Sequence, residues 1–187
     1  MKTLVIALAF LAFLVPSFAQ AASVMEEQQA IQKMRDDTLS RLYAAKPETR
    51  DEISKAVGYA VFSSGSLAII WVSGGYGHGI AHNNDAAADT YMQVANAGVG
   101  LGLGAKDFNT VFVFHDKKSF NDFITTGLDL SGNADVAAKE GAKGAAASGT
   151  ADVLPGVRVY QLTKTGLMAQ AMLQGTKYWQ DDSLNGK

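Results

Sequence analysis

His78 and His82 stand four residues apart with Asp85 and Asp89 downstream, and two imidazoles plus a carboxylate are a ligand set for zinc or nickel. On a strand those rings lie about 13 Å apart, too far for one ion unless the chain turns at Ala81. Polar surface histidines are the simpler reading, and no metal is expected. A second candidate is "NAGVGLGLGAKD", Asn96 to Asp107, with glycine at 98, 100, 102 and 104. A dinucleotide loop needs G-x-G-x-x-G, and the third glycine position falls on Leu103 counted from Gly98 and on Ala105 counted from Gly100. The motif fails by one residue, and no lysine-serine or lysine-threonine pair completes a P-loop. For hydrolysis there is no G-x-S-x-G: Ser64 and Ser66 flank Gly65 in a turn-like stretch, and His115 with Asp116 is an adjacent pair rather than a triad. The chain reads as non-catalytic and without a cofactor.

Glycine at every second position has a different meaning. Successive strand side chains point to opposite faces, so Gly98, Gly100, Gly102 and Gly104 share one face, with Val99, Leu101 and Leu103 on the other. The same device recurs at Gly75, Gly77 and Gly79, and more weakly in the last strand at Ala169 and Ala171. Neighbouring strands of this kind would merge their small residues into a trough. Glycine weakens a strand and marks a close approach by another group. Two occupants stand open: a helix of the chain itself, or an acyl chain or lipid held at these nine positions.

The elements that must position these residues follow from periodicity. From Val24 to about Ala45, Ile31, Met34, Thr38 and Leu42 recur at helical spacing, among Glu26, Glu27, Asp36 and Asp37 mixed with Lys33, Arg35 and Arg41. Pro47 opens a second helix running to about Val57. Four strands are then expected in "GYAVF", "LAIIWVSGGYGHGIA", "TYMQVANAGVGLGLGA" and "NTVFVFH", with turns at 63–66 and 83–86. Asp116 caps a short helix that brings Phe120, Phe123 and Ile124 onto one face. Residues 129–152 are small and polar and read as a loop or frayed helix. "VRVYQL" and "GLMAQAMLQGTKYW" then make a C-terminal hairpin turning at "TKTG", with a loose tail beyond. Most aromatic residues in the strands belong to a core, Tyr59, Phe62, Trp71, Tyr76 and Tyr160 among them. Tyr178 and Trp179, near the tail, are the pair suited to a membrane interface, where an amphipathic ring is stable.

Composition bounds the setting. The chain has 187 residues, 48% of them hydrophobic, enough for one domain with a substantial core. It begins "MKTLVIALAFLAFLVPSFAQAAS", a lysine, an apolar run too short to span a bilayer, and small residues suited to signal peptidase after Ala19 or Ala21. This is the pattern of a cleaved secretory leader, so the mature chain is expected in the periplasm or outside the cell. The absence of cysteine excludes disulfides, thiol nucleophiles and a lipoprotein anchor. Removing Lys2 with the leader leaves 15 basic against 18 acidic side chains, which argues against a nucleic-acid partner.

Taken in order, "AVGYAVF", "GGYGHGI", "GVGLGLGAKDFNTVFVF", "FITTGLDLSGNADVAA" and "VYQLTKTGLMAQAMLQGTKYW" resemble the SYLF domain over roughly residues 50–180. Members include exported bacterial proteins and eukaryotic endocytic adaptors. The resemblance implies a lipid-binding module; eukaryotic relatives bind phosphoinositides, with a basic amphipathic N-terminal helix at the membrane, and yeast relatives also bind actin. Here the corresponding helix is mixed in charge, and an actin partner is not expected for an exported chain. A lipid or membrane surface is the expected partner, with an envelope protein as the alternative.

The resulting expectation is an α+β fold: two N-terminal helices, a strongly coiled antiparallel sheet of about six strands, open or partly closed, and one short helix packed on it. The divisions are a leader at 1–21, helices at 22–57, the β-rich domain at 58–180 and a tail at 181–187.

Overall fold

The computed structural model describes residues 15–69, 72–98, 104–130, 150–163, 166–167 and 175–186. Helix α1 (Val15–Ala45) and helix α2 (Thr49–Lys55) precede strands β1 (Gly58–Ile69), β2 (Val72–Asn83), β3 (Ala88–Gly98) and β4 (Gly104–Phe114). Helix α3 (Lys117–Thr126) follows, then β5 (Leu128–Asp129), β6 (Thr150–Leu154), β7 (Val157–Thr163), β8 (Gly166–Leu167) and β9 (Thr176–Gln180). The strands form one strongly coiled antiparallel sheet in the order β5-β9-β3-β2-β1-β4-β7-β6, with β8 paired to β7. The fold class is the expected α+β, with more strands than the six anticipated.

Both faces of the sheet are covered, because its strands alternate apolar residues on both sides. On one face Leu39 and Leu42 of α1 and Ile53 of α2 pack with Val61, Val111, Val113, Tyr160 and Leu162. Ile31 continues this layer onto Ile80, Tyr91 and Leu184. The buried positions Ile31, Thr38 and Leu42 are those the helical spacing singles out, with Met34 packed at their margin. On the opposite face Phe120 and Phe123 of α3 meet Phe62, Phe112, Phe114 and Tyr178. Asp116 does cap α3, its side chain accepting the Ser119 N–H at 2.8 Å. Gly127 closes that helix at φ 81°, where an added Cβ would run into the Tyr178 carbonyl.

Four expectations are corrected. Residues 63–66 are not a turn: β1 runs unbroken to Ile69 because Gly65 pairs with Tyr76 on one side and Asp107 on the other. Two partner strands override the turn propensity of serine and glycine. Consequently "LAIIWVSGGYGHGIA" is divided between β1 and β2, with Ile70 and Trp71 outside the described residues. Of the expected C-terminal hairpin the described residues show the root, where Leu162 pairs with Leu167 and Thr163 with Gly166. Residues 176–180, expected at the end of its second arm, pair with β3 rather than β7, Gln93 opposite Trp179, and residues 168–174 lie outside the described residues. The expected loop at 129–152 carries strand at both ends, β5 and β6, with residues 131–149 outside the described residues.

The fourth correction concerns the tail. Leu184 is buried beside Ile31 and Ile80, and Asp181 is buried too. Asn185 bridges back, donating to the Tyr91 and Asp181 carbonyls and accepting the Tyr91 N–H at 3.0 Å. Burial pushes the Asp181 carboxyl up, but hydrogen bonds from Ser183, Gln93 and the Leu184 N–H outweigh it and hold the group below its usual range. A depressed folded value makes this contribution complete above the unfolded value of about 3.9 and lost as pH falls through the folded one. Asp181→Asn is therefore expected to flatten the acid limb of stability below about pH 4, measured as Tm against pH. An unchanged acid limb would show that the Asp181 charge contributes nothing.

Candidate functional site

The two glycine ladders come together as the alternation requires. In β2, Gly79 is flanked by Phe62 and Met92, Gly77 by Ser64 and Val94, and Gly75 by Ser66 and Asn96. Gly98 pairs with Ser73, and Gly104 with Ala68. By register all of these lie on the face that carries Phe62 and Phe112, so the small residues of adjacent strands form one continuous area. Gly100, Gly102, Ala169 and Ala171 lie outside the described residues.

At Gly79 the space is taken by the protein itself. A Cβ built there would meet Phe62 Cε1 at 2.5 Å and the Val61 carbonyl oxygen at 2.6 Å. The glycine lets the Phe62 ring lie flat across β2, where it reaches Tyr178 at 4.7 Å between ring centroids. Gly77 is also buried. By register the same face runs on from Gly77 to Gly75, Gly98 and Gly104.

Tyr178 and Trp179 separate. Tyr178 is 2% exposed, inside the aromatic core, and its phenol is pushed up by burial. It therefore presents nothing to a membrane surface, a correction that follows from strand alternation itself. Trp179 points to the other face, where its ring lies 6.3 Å from Tyr76. Tyr76, expected in the core, is 52% exposed and, with Met25, is one of two large exposed hydrophobic residues among the described residues.

The histidines do not converge. His82 Nδ1 lies 2.6 Å from Asp89 Oδ1, His78 Nδ1 lies 3.5 Å from Glu27 Oε1, and Asp85 pairs with Lys117 at 2.9 Å. Asp89 also meets Arg35 at 3.3 Å, so this pairing fastens α1 to the β2–β3 hairpin. The polar centre that spacing does not reveal is Glu52. Its carboxylate takes Arg158 at 3.0 Å and His115 at 3.1 Å on Oε1, and the Tyr160 hydroxyl on Oε2. Burial and the Glu52 charge together raise the Tyr160 phenol, and Lys46 lies over its ring at 5.4 Å. The partners are separated by 63 to 108 positions in the chain, which no local motif can announce. The arrangement ties α2 to β7 and to His115, just past the end of β4, with its acceptor oxygens occupied.

Among the described residues no three metal-ligating side chains gather, and no helix is long and apolar enough to cross a membrane. Residues 95–187 match the family model described as "Las17-binding protein actin regulator" (Ysc84). This chain belongs to the SYLF family. It is 35% identical over 160 residues to Beta cell expansion factor A of Aeromonas veronii, covering 85% of this chain. The match spans 59% of the length of that relative. The SYLF family supports, at its general level, a lipid- or actin-binding module rather than an enzyme. The SYLF match begins at Ala95, so it takes in the second glycine ladder, β4, α3 and the remaining strands.

Proposed function

We propose that the protein is exported through a cleaved leader and binds phospholipid or a membrane surface without catalysis. SYLF-family membership is the observation that carries this reading. The contact surface in this reading is the glycine face beyond Phe62, at Gly75, Gly98 and Gly104, where a bare backbone admits an acyl chain closely. Actin is set aside because the leader directs the chain away from any cytoskeleton. The test is co-flotation of the purified protein with phospholipid vesicles. Binding is expected, and its absence with both zwitterionic and anionic lipid would defeat the reading.

A second reading has one observation in its favour. Phe62 fills the face at Gly79, and α3 packs on the same side. If the chain's own residues fill the whole face, the protein is a structural or protein-binding module of the envelope, and it stays unbound in the same assay.

A further inference from the structure

Tyr76 stands on the helix-bearing side of the sheet, one step along that face from His78, with Gly65 of β1 and Ala95 of β3 as its cross-strand neighbours. Small residues on both sides leave the ring uncovered, and it is 52% exposed. The Trp179 ring lies 6.3 Å from it, inclined at 55°, and the His78 ring lies 5.4 Å from it at 89°. Tyr76 and Trp179 are thus a tilted pair rather than a stack, and one group can approach both rings. Trp179 and His78 are half-buried, so the site is partly withdrawn from water.

The charge around these rings is negative. Glu27 of α1 comes in beside His78, 3.5 Å from its Nδ1. Asp181 follows Trp179 by two positions, and Gln93, the residue opposite Trp179, donates to it at 2.6 Å. Burial raises the Tyr76 phenol, and the Asp181 and Glu27 charges raise it further. Both carboxylates therefore act on this ring. Lys177 stands in the same row, opposite Ala95, and its charge is offset by Asp129 at 3.5 Å.

Aromatic faces and carboxylates together attract a cation, the rings acting over about 6 Å from their centroids. Hydration decides which cation. A primary ammonium is a compact, strongly hydrated charge, whereas a quaternary ammonium presents methyl groups, sheds water readily and is the cation that tryptophan and tyrosine faces recognise. We propose that Tyr76 and Trp179, with Glu27 and Asp181 beside them, receive the quaternary ammonium of a phosphatidylcholine headgroup. The inference rests on the lipid-binding reading and names a headgroup for it. By alternation the site lies across the sheet from Gly75, so it is a contact separate from the glycine face. The choline ammonium is the outermost group of its lipid, and surface rings reach it without entering the hydrocarbon. Phosphatidylglycerol offers an anionic phosphate and no cation, which these carboxylates repel.

The test is flotation with vesicles in which phosphatidylglycerol is mixed with either phosphatidylcholine or phosphatidylethanolamine, whose headgroups differ only in the methyls on nitrogen. Binding to the choline mixture is expected to be tighter by roughly fivefold or more. Tetramethylammonium chloride is expected to bring it down to the ethanolamine level, and sodium chloride at the same concentration is not. Tyr76→Leu is expected to abolish the preference and Tyr76→Phe to keep it, because the ring face holds the cation and neither the hydroxyl nor apolar bulk does. Circular dichroism checks the fold of each variant. Glu27→Gln, at an exposed position on α1, is expected to weaken the preference and takes the place of Tyr76→Leu if that variant does not fold. Equal flotation with the two mixtures, or a preference that survives in folded Tyr76→Leu, overturns the headgroup proposal and leaves lipid binding standing. Protein that floats with neither mixture overturns both.

Discussion

Gly79→Val is expected to destabilise the protein by about 3 kcal/mol or more, enough to remove the folded state of a marginal domain. Valine ordinarily favours a strand by up to about 1 kcal/mol, so the sign is decided by space. The first side-chain atom would enter the Phe62 ring and approach the Val61 carbonyl oxygen to 2.6 Å. Neither neighbour has room to yield. Val61 is held in β1 between β2 and β4, and the Phe62 ring is packed against Phe112, Phe123 and Tyr178 at 5.9, 6.0 and 4.7 Å. The check is urea unfolding of Gly79→Ala, Phe62→Ala and the double variant. The pair is expected to be less destabilising than the sum of the singles by at least about 1 kcal/mol, because removing the ring frees the space that the new methyl needs. Simple additivity would show that the glycine is not there for Phe62.

Phe112→Ala is expected to cost about 3–5 kcal/mol. Its ring is fully buried and lies 5.9 Å from Phe62, 6.2 Å from Phe114, 5.3 Å from Phe123 and 5.0 Å from Tyr178. The position joins β4 to β1, α3 and β9, so truncation removes transfer free energy and leaves a cavity whose walls belong to four different elements. Those walls cannot all collapse at once. For a domain of this size a loss of this order lowers Tm by roughly 10 °C, read by calorimetry or circular dichroism. A shift of under about 3 °C would mean that the cluster repacks and that this face is not a rigid core.

How much of this could be read from residues alone depends on how local the cause is. The spacing of Ile31, Thr38 and Leu42 places the buried stripe of α1, and Asp116 announces the start of α3, because both rest on contacts within a few positions. The glycine alternation identifies a shared face, and the pairing of β2 with β3 supplies the adjacency it required. Ser63 to Ser66 mislead because a strand with partners on both sides tolerates residues that an isolated segment would turn at. Tyr178 and Trp179 read as one interfacial pair only if the alternation used for the glycines is not applied to them as well. The Glu52 hub and the Asp181 clamp join residues 63 to 108 positions apart, and only the folded topology brings them together. Phe62 over Gly79 is of the same kind: the glycine is visible in the sequence and its occupant is not.

The account stands most directly on one measurement, density-gradient flotation of the purified protein with phosphatidylcholine vesicles and with vesicles containing phosphatidylglycerol, paired with native mass spectrometry of the same preparation. The predicted result is protein in the floating fraction with at least one of the two compositions, with phospholipid retained on the protein. Protein left at the bottom of both gradients, and a mass spectrum of bare polypeptide, would contradict it.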